Sequence, residues 1–168
     1  MTHEQLWAPW RMNYIAIGKP SDDDGCFLCR YRDEAADAEN FVVARSELSL
    51  TVLNRFPYNN GHLLVAPKAH RATFDDLNDD ELCDCIRQVK SMTALLSRVM
   101  APQGFNVGLN LGKVAGAGMP GHLHWHIVPR WAGDTNFMPV LADVNLVPQS
   151  LIALYNLLRG GLVSPGNS

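Results

Sequence analysis

The strictest alternation of polar and apolar residues lies at residues 122–128, where His122, His124 and His126 are separated by single large apolar residues. Alternation over this length is typical of a half-buried β-strand. Because residues two apart in a strand share a face, the three histidines should stand in one row on one side of a sheet. The intervening side chains should point into the core.

Four shorter apolar stretches are also predicted to be strands. They are residues 41–44, 48–54, 62–67 and 105–110. The connections between the first three are too short for parallel crossovers, so these strands should form an antiparallel meander.

Two stretches have helical periodicity. Asn78 and Glu81 form a capping-box pattern, which predicts a long helix that runs to about Met100. Its expected apolar stripe is Leu82, Cys85, Ile86, Val89, Met92, Leu96 and Val99. A last helix should start near Leu151, with Leu154, Tyr155 and Leu158 in its stripe, and end at the glycine pair 160–161, which leaves residues 160–168 as a frayed tail.

The composition limits the classes of protein to which this chain can belong. With 168 residues, 47% of them hydrophobic and 18% charged, the chain is expected to form one globular domain over residues 1–168. A net charge of −3 gives no electrostatic case for nucleic acid or membrane partners. The start of the chain lacks a signal-peptide pattern, so we expect a cytoplasmic protein. Residues 1–20 contain Trp7 and Trp10 and are expected to dock on the body of the protein or on a second subunit.

Cys26 and Cys29 form a CxxC pair after an acidic loop. This spacing lets both sulfurs reach one tetrahedral metal ion. A redox motif would be expected at the start of a helix that follows a buried strand, so the preceding loop favours zinc. Two further ligands would then come from histidines later in the chain.

The row of histidines has three interpretations. The side chains are satisfied core histidines, or they ligate a transition metal, or one imidazole attacks phosphorus while its neighbours position it. The glycine-rich loop at residues 112–121 leads directly into this row. Its backbone N–H groups could surround a phosphate, although a flexible hairpin loop is the alternative.

The motif at residues 122–128 resembles the signature of the histidine triad (HIT) family, supported by Asn54 and by residues 61–70. Residues 6–12 and 105–140 resemble the diadenosine tetraphosphate phosphorylase and hydrolase branch, which is the Fhit-like branch. The resemblance implies an α+β fold with a five-stranded antiparallel sheet, a long helix and a C-terminal helix. It also implies a homodimer in which a larger sheet forms.

The resemblance assigns roles to individual residues. His124 would be the nucleophile, His126 would contact the phosphate, and His62 and His122 would orient the nucleophile. Asn54 would lie near the ribose and Asn110 near the phosphate. Gly118 occupies the position where many members carry a phosphate-binding glutamine; it is expected to bind the nucleotide, with the backbone of the glycine-rich loop or Lys113 in place of the glutamine contact. Structural zinc is implied at a closed set of four ligands, Cys26, Cys29, His70 and His122.

The function implied is cleavage of dinucleoside polyphosphates through a nucleotidyl-histidine intermediate, with phosphate or water as the acceptor. Three alternatives stay open. They are a nucleoside phosphoramidate or nucleotidyl hydrolase using the same site, a nucleotide-binding module without turnover, and a redox metal protein that uses all three histidines of the row.

Overall fold

The computed structural model describes residues 25–134 and 149–163. Its helices are α1 (Phe27–Asp33), α2 (Asp37–Asn40), α3 (Asp79–Met100) and α4 (Leu151–Val163), with a 3₁₀ turn at Lys113–Ala115. Its strands are β1 (Val42–Arg45), β2 (Ser49–Leu53), β3 (Leu63–Pro67), β4 (Gly104–Leu109) and β5 (Trp125–Arg130). The predicted segments at residues 1–20 and 164–168 lie outside the described residues.

The strands form one antiparallel sheet in the order β1-β2-β3-β5-β4. The predicted α+β architecture, with its five-stranded sheet, is confirmed. β5 lies between β3 and β4, and its His126 is opposite Leu64 on one side and Gly108 on the other. The histidine-bearing strand therefore occupies the inner part of the sheet, where both neighbours fix its register.

The two faces of the sheet are covered differently. Helices α3 and α4 cover one face, where Leu63, Trp125 and Ile127 are buried against the helices. Helix α1 covers part of the other face, where Leu28 and Tyr31 pack on a cluster that includes Leu64. His126 shares the face of Leu64, so the histidines lie beside the part of the sheet that α1 covers.

Helix α3 begins with the predicted capping box. The side chain of Asn78 accepts from the backbone of Glu81, and the Glu81 carboxylate accepts from the backbone N–H of Asn78. The predicted stripe is wrong at Ile86, whose side chain is 48% exposed. Leu95 takes part in the buried stripe instead, because it lies three residues after the buried Met92 and faces the same side.

Helix α4 continues through the glycine pair that was expected to end it, and residues 160–163 are helical rather than frayed. A Cβ atom on Gly161 would lie 2.7 Å from Cγ1 of Val99 and 2.8 Å from Cδ1 of Leu95. Gly161 therefore allows a close approach of α4 to α3 and does not cap the helix. Arg98 on α3 also donates to the carbonyl oxygen of Gly161 at 2.6 Å.

In the described ranges, no helix combines the length and the apolar character that crossing a membrane requires.

Candidate active site and metal centre

The predicted row of histidines is divided between two sites. β5 starts at Trp125, so only His126 lies within the strand, while His122 and His124 belong to the segment that leads into it. His122 is fully buried and His124 is 7% exposed. The rings of His124 and His126 lie 4.9 Å apart, whereas the ring of His122 packs edge-on against His70 at 4.9 Å.

The tautomer of His124 follows from one contact. Its Nδ1 lies 2.8 Å from the carbonyl oxygen of His122, and a carbonyl can only accept, so Nδ1 carries the proton. The lone pair is consequently on Nε2. Burial lowers the pKa of His124, which keeps the ring neutral near pH 7. A neutral imidazole with an oriented lone pair is a nucleophile at neutral pH.

His62 and His126 form a second ordered pair. Nδ1 of His62 lies 3.1 Å from the backbone nitrogen of Tyr58, which can only donate, so this Nδ1 is an acceptor. Nε2–H of His62 then donates to Nδ1 of His126 at 2.9 Å. His126 must therefore present Nε2–H as a donor. Burial, together with the neighbouring His126 ring, lowers the pKa of His62 to about 3, and burial with His124 nearby lowers that of His126 to about 4.

Asn54 acts on this pair. Its Nδ2 lies 3.2 Å from Nδ1 of His62, and its Oδ1 accepts from the backbone N–H of Phe56 at 2.9 Å. The amide is thus used inside the protein to hold His62 and the turn after β2. The expected contact of Asn54 with a ribose stays a prediction.

Sequence reasoning did not identify Tyr58. Its ring stacks on His126 at 5.8 Å with an interplanar angle of 18°, and it lies 4.7 Å from the ring of His62. The sequence does contain one signal for this residue. Tyr58 is an aromatic residue four positions before His62, in a turn rich in asparagine. Its backbone and its ring both position the histidine pair.

A groove of about 400 Å³ adjoins His126 on the side of β4. Its lining is Tyr58, Phe105, Asn106, Val107, Gly108, Leu109, Asn110, His126 and Val128. Nδ2 of Asn110 lies 3.5 Å from Nε2 of His126, which places the predicted phosphate contact next to the donor. Gly118 lies in the exposed loop before the triad, with open space around its Cα, so its predicted role in binding nucleotide stays a prediction.

The four predicted metal ligands come together. One ligand atom from each of Cys26, Cys29, His70 and His122 lies within 4.8 Å of all the others. Nε2 of His122 donates to the carbonyl oxygen of Pro67 at 2.8 Å, which leaves the Nδ1 lone pair facing Sγ of Cys26 at 3.1 Å. Sγ of Cys29 lies 3.3 Å from Nδ1 of His70. Ligand pairs around a tetrahedral zinc ion are separated by about 3.3–3.8 Å, so this group can hold a metal ion.

The backbone explains how these ligands meet. Cys26 is the N-cap residue of α1 and Cys29 lies in its first turn, so the CxxC pair does stand at the start of a helix. The thiols nevertheless face two imidazoles, which favours a metal centre over a redox pair. Burial and the neighbouring Cys26 thiol raise the pKa of the Cys29 thiol to about 11. Cys85, by contrast, is a fully buried core thiol on α3 and Cys83 is exposed.

His122 connects the two sites. Its imidazole faces the thiols, while its carbonyl oxygen holds Nδ1 of His124. A ligand bound by the imidazole would therefore also fix the peptide unit that orients the nucleophile.

Comparisons with known proteins agree with this geometry. An AP-4-A phosphorylase of Mycobacterium tuberculosis is 39% identical over 153 residues, which cover 88% of this chain and 78% of that protein. An adenosine 5′-monophosphoramidase of Schizosaccharomyces pombe is 32% identical over 105 residues, or 62% of this chain and 74% of that protein. These named relatives are enzymes, which confirms at the level of the family the expectation of an enzyme.

The fold is also found among solved structures. A zinc-bound histidine triad family protein from Mycobacterium smegmatis superimposes with a TM-score of 0.67 and 24% identity, over 84% of this chain and 95% of that one. The HIT domain profile matches residues 35–133, which is more than half of the chain. The predicted resemblance is confirmed, and the chain belongs to the HIT, or histidine triad, family.

Proposed function

We propose that this protein cleaves dinucleoside polyphosphates, such as diadenosine tetraphosphate, by transferring a nucleotidyl group first to His124 and then to phosphate or water. The observation that carries the proposal is the contact of His124 Nδ1 with the His122 carbonyl oxygen, because it fixes the proton on Nδ1 and leaves the lone pair on Nε2. The 39% identity to an AP-4-A phosphorylase supports the substrate class.

In the first step, Nε2 of His124 attacks the phosphorus, a P–N bond forms, and the P–O bond to the leaving polyphosphate breaks. The proton on Nδ1 stays in place, and the His122 carbonyl oxygen stabilises the positive charge that the ring acquires. Nε2–H of His126 donates to the departing oxygen. In the second step, water or phosphate attacks the same phosphorus, loses its proton to solvent, and releases neutral His124 as the P–N bond breaks.

Trapping the intermediate tests this mechanism. Wild-type protein mixed with diadenosine tetraphosphate labelled at the α-phosphorus and quenched rapidly should carry one label per chain, and His124→Ala should carry none. Because His124 is the proposed nucleophile, His124→Ala should lower turnover by several orders of magnitude. Full turnover by His124→Ala would contradict the mechanism.

Analysis of the reaction products identifies whether phosphate or water accepts the nucleotidyl group in the second step. ADP and ATP that appear only when inorganic phosphate is present identify a phosphorylase. AMP and ATP formed without phosphate identify an asymmetric hydrolase. Adenosine 5′-phosphoramidate serves as the comparison substrate, because the phosphoramidase relative makes a hydrolase of that type the second candidate.

We further propose that the metal ion held by Cys26, Cys29, His70 and His122 is zinc. Two cysteine sulfurs and two imidazoles whose ligand atoms all lie within 4.8 Å of one another support this assignment. Bound zinc would supply structural support only, because four protein ligands leave no open coordination position. It would hold His122, and through the His122 carbonyl oxygen the ring of His124.

A homodimer in the cytoplasm completes the proposal. β1 and β4 are the edge strands of the sheet within the described residues, so a second copy could extend the sheet at one of these edges. Thiol ligands suit a reducing compartment. Light scattering after size-exclusion chromatography measures the oligomeric state, and a mass of 18.6 kDa, that of one chain, would contradict the dimer.

A further inference from the structure

We propose that the groove along β4 is the subsite for the leaving half of the substrate, a nucleoside polyphosphate, and that Asn106 and Gly108 determine what it accepts. This inference rests on the proposed function. It concerns the part of the substrate that His124 does not receive.

The position of the groove relative to the two histidines gives the first argument. His126 lines the groove and His124 does not. In an in-line displacement at phosphorus, the leaving oxygen departs on the side opposite the nucleophile. The donor His126 stands next to His124, with ring centroids 4.9 Å apart, and the groove lies beside His126. A group that departs past His126 therefore enters the groove.

The floor of the groove is the second argument. Asn106, Gly108 and Asn110 alternate with apolar residues, and the β4–β5 register places Asn106 opposite Val128 and Gly108 opposite His126, on the face that carries the active site. From residue 106 to residue 110 the floor extends about 13 Å. A Cβ atom on Gly108 would meet no atom within 4 Å, so the middle of the floor is open next to the reaction centre.

The polar groups of the groove are donors. Oδ1 of Asn106 accepts from Nη1 of Arg130 at 2.8 Å, so its amide N–H₂ is the group left to donate. Nδ2 of Asn110 lies at the other end, 3.5 Å from Nε2–H of His126; two donors do not bond each other, so both are left for the oxygens of a ligand. Neutral donors at both ends of an open floor suit the oxygens of a phosphoanhydride chain. Tyr58, which is 50% exposed, forms an aromatic wall on which a base or a sugar can pack.

The experiment compares two substrates that share the transferred half. Diadenosine tetraphosphate has a polyphosphate leaving group, whereas adenosine 5′-phosphoramidate releases only ammonia. We expect Gly108→Val to lower the ratio of kcat/KM for diadenosine tetraphosphate to that for the phosphoramidate by about tenfold or more. Gly104→Val is the matched control, because it lies on the same strand, also has open space at its Cβ position, and does not line the groove. Its ratio should equal that of the wild type.

Asn106→Asp gives a test without added bulk. The carboxylate keeps an acceptor for Arg130 but replaces the donor with a negative charge that repels polyphosphate. The ratio should fall by about tenfold, and added salt should restore part of it. For each variant, label transferred from each substrate in a single turnover gives the same comparison where steady-state rates are low, and elution volume checks the oligomeric state.

Two outcomes overturn the subsite. One is an unchanged ratio in Gly108→Val and Asn106→Asp, and the other is an equal loss on both substrates, which would mean that the floor acts only through His126. A wild-type protein that forms no nucleotidyl-histidine from either substrate contradicts the proposed function instead.

Discussion

At the scale of residues, identical side chains acquire different chemistry from single backbone contacts. The carbonyl oxygen of Pro67 fixes the proton of His122 on Nε2, and the carbonyl oxygen of His122 fixes that of His124 on Nδ1. The backbone N–H of Tyr58 makes Nδ1 of His62 an acceptor. His122 is thus left with a lone pair on Nδ1 and His124 with one on Nε2, whereas His126 presents an N–H donor; in the proposed mechanism these serve a metal ion, the phosphorus and the leaving oxygen.

Asn54→Asp should reverse the His62 tautomer. A carboxylate beside Nδ1 favours a proton on that nitrogen, so the neutral ring no longer donates from Nε2 to His126, and the carboxylate also raises the pKa of His62. We expect kcat to fall on the order of tenfold to a hundredfold, with the acid limb of the pH–rate profile moving to higher pH. Asn54→Ser, which keeps a small polar group without the charge, should not move the acid limb. An unchanged pH profile in Asn54→Asp would contradict the role of Asn54 in setting the hydrogen bond from His62 to His126.

The buried histidines should make the protein sensitive to acid. In the unfolded chain a histidine titrates near 6.5, whereas in the folded protein the pKa of His62 is about 3 and that of His126 is about 4. Between these values the unfolded state binds more protons, so the free energy of unfolding should fall as the pH drops from about 6.5 towards 4. Urea midpoints across this range measure the effect. His62→Gln should show a shallower dependence, and a slope equal to that of the wild type would argue against it.

At the scale of elements, the pattern of residues predicts most of the fold. Alternation predicts the strands, and the capping box predicts the start of α3 at the correct residue. The pattern fails where a tertiary contact overrides local preference. Gly160 and Gly161 have the composition of a helix end, but the packing of α4 on α3 extends the helix to Val163. Periodicity alone also did not distinguish Ile86 from Leu95.

Two alanine substitutions on α4 should have opposite effects. A methyl group on Gly161 would clash with Leu95 and Val99, so Gly161→Ala should lower the free energy of unfolding by about 1–3 kcal/mol despite the higher helix propensity of alanine. At Gly160 the same methyl group meets open space, so Gly160→Ala should stabilise the protein by about 0.5–1 kcal/mol. Urea denaturation of both variants measures the difference, and equal effects would show that α4 does not pack closely at Gly161.

The residues of the candidate site were predictable to a similar extent. The ligand types and the three histidines carry the motif, so their meeting was expected. Tyr58 and the groove along β4 were not, because stacking on His126 and the open space at Gly108 depend on the pairing of strands and on a turn. The resemblance already implied that His122 belongs with Cys26 and Cys29, and the contacts of its Nδ1 with both sulfurs agree with that assignment.

At the scale of the whole molecule, the two faces of the sheet have different roles: one packs in the main core and the other carries the candidate site. Its helix-covered face supplies the larger core, built with α3 and α4. Its other face carries α1, the candidate metal ligands and the pair formed by His62 and His126. α1 is linked to the loop before β5 by the contacts of Cys26 and Cys29 with His122.

Removal of the proposed zinc ion should lower both stability and turnover. Without the ion, α1 and the loop before β5 would no longer be held together. Cys26→Ser and chelator-treated protein should therefore have an unfolding temperature several degrees lower and turn over more slowly. Added zinc should restore only the chelated wild type. Cys83→Ser, which changes an exposed thiol, is the matched control and should behave as wild type. Full activity in a protein shown to be metal-free would contradict the coupling through His122.

The double role of His122 has a consequence for genetic variation in this protein. A substitution at Cys29 would lower both activity and the amount of folded protein, whereas a substitution at His124 would abolish activity and leave the abundance intact. A measurement of protein level beside a measurement of activity would therefore sort inactive alleles into two groups. His122 would fall into the group of low abundance, although it lies two residues from the nucleophile.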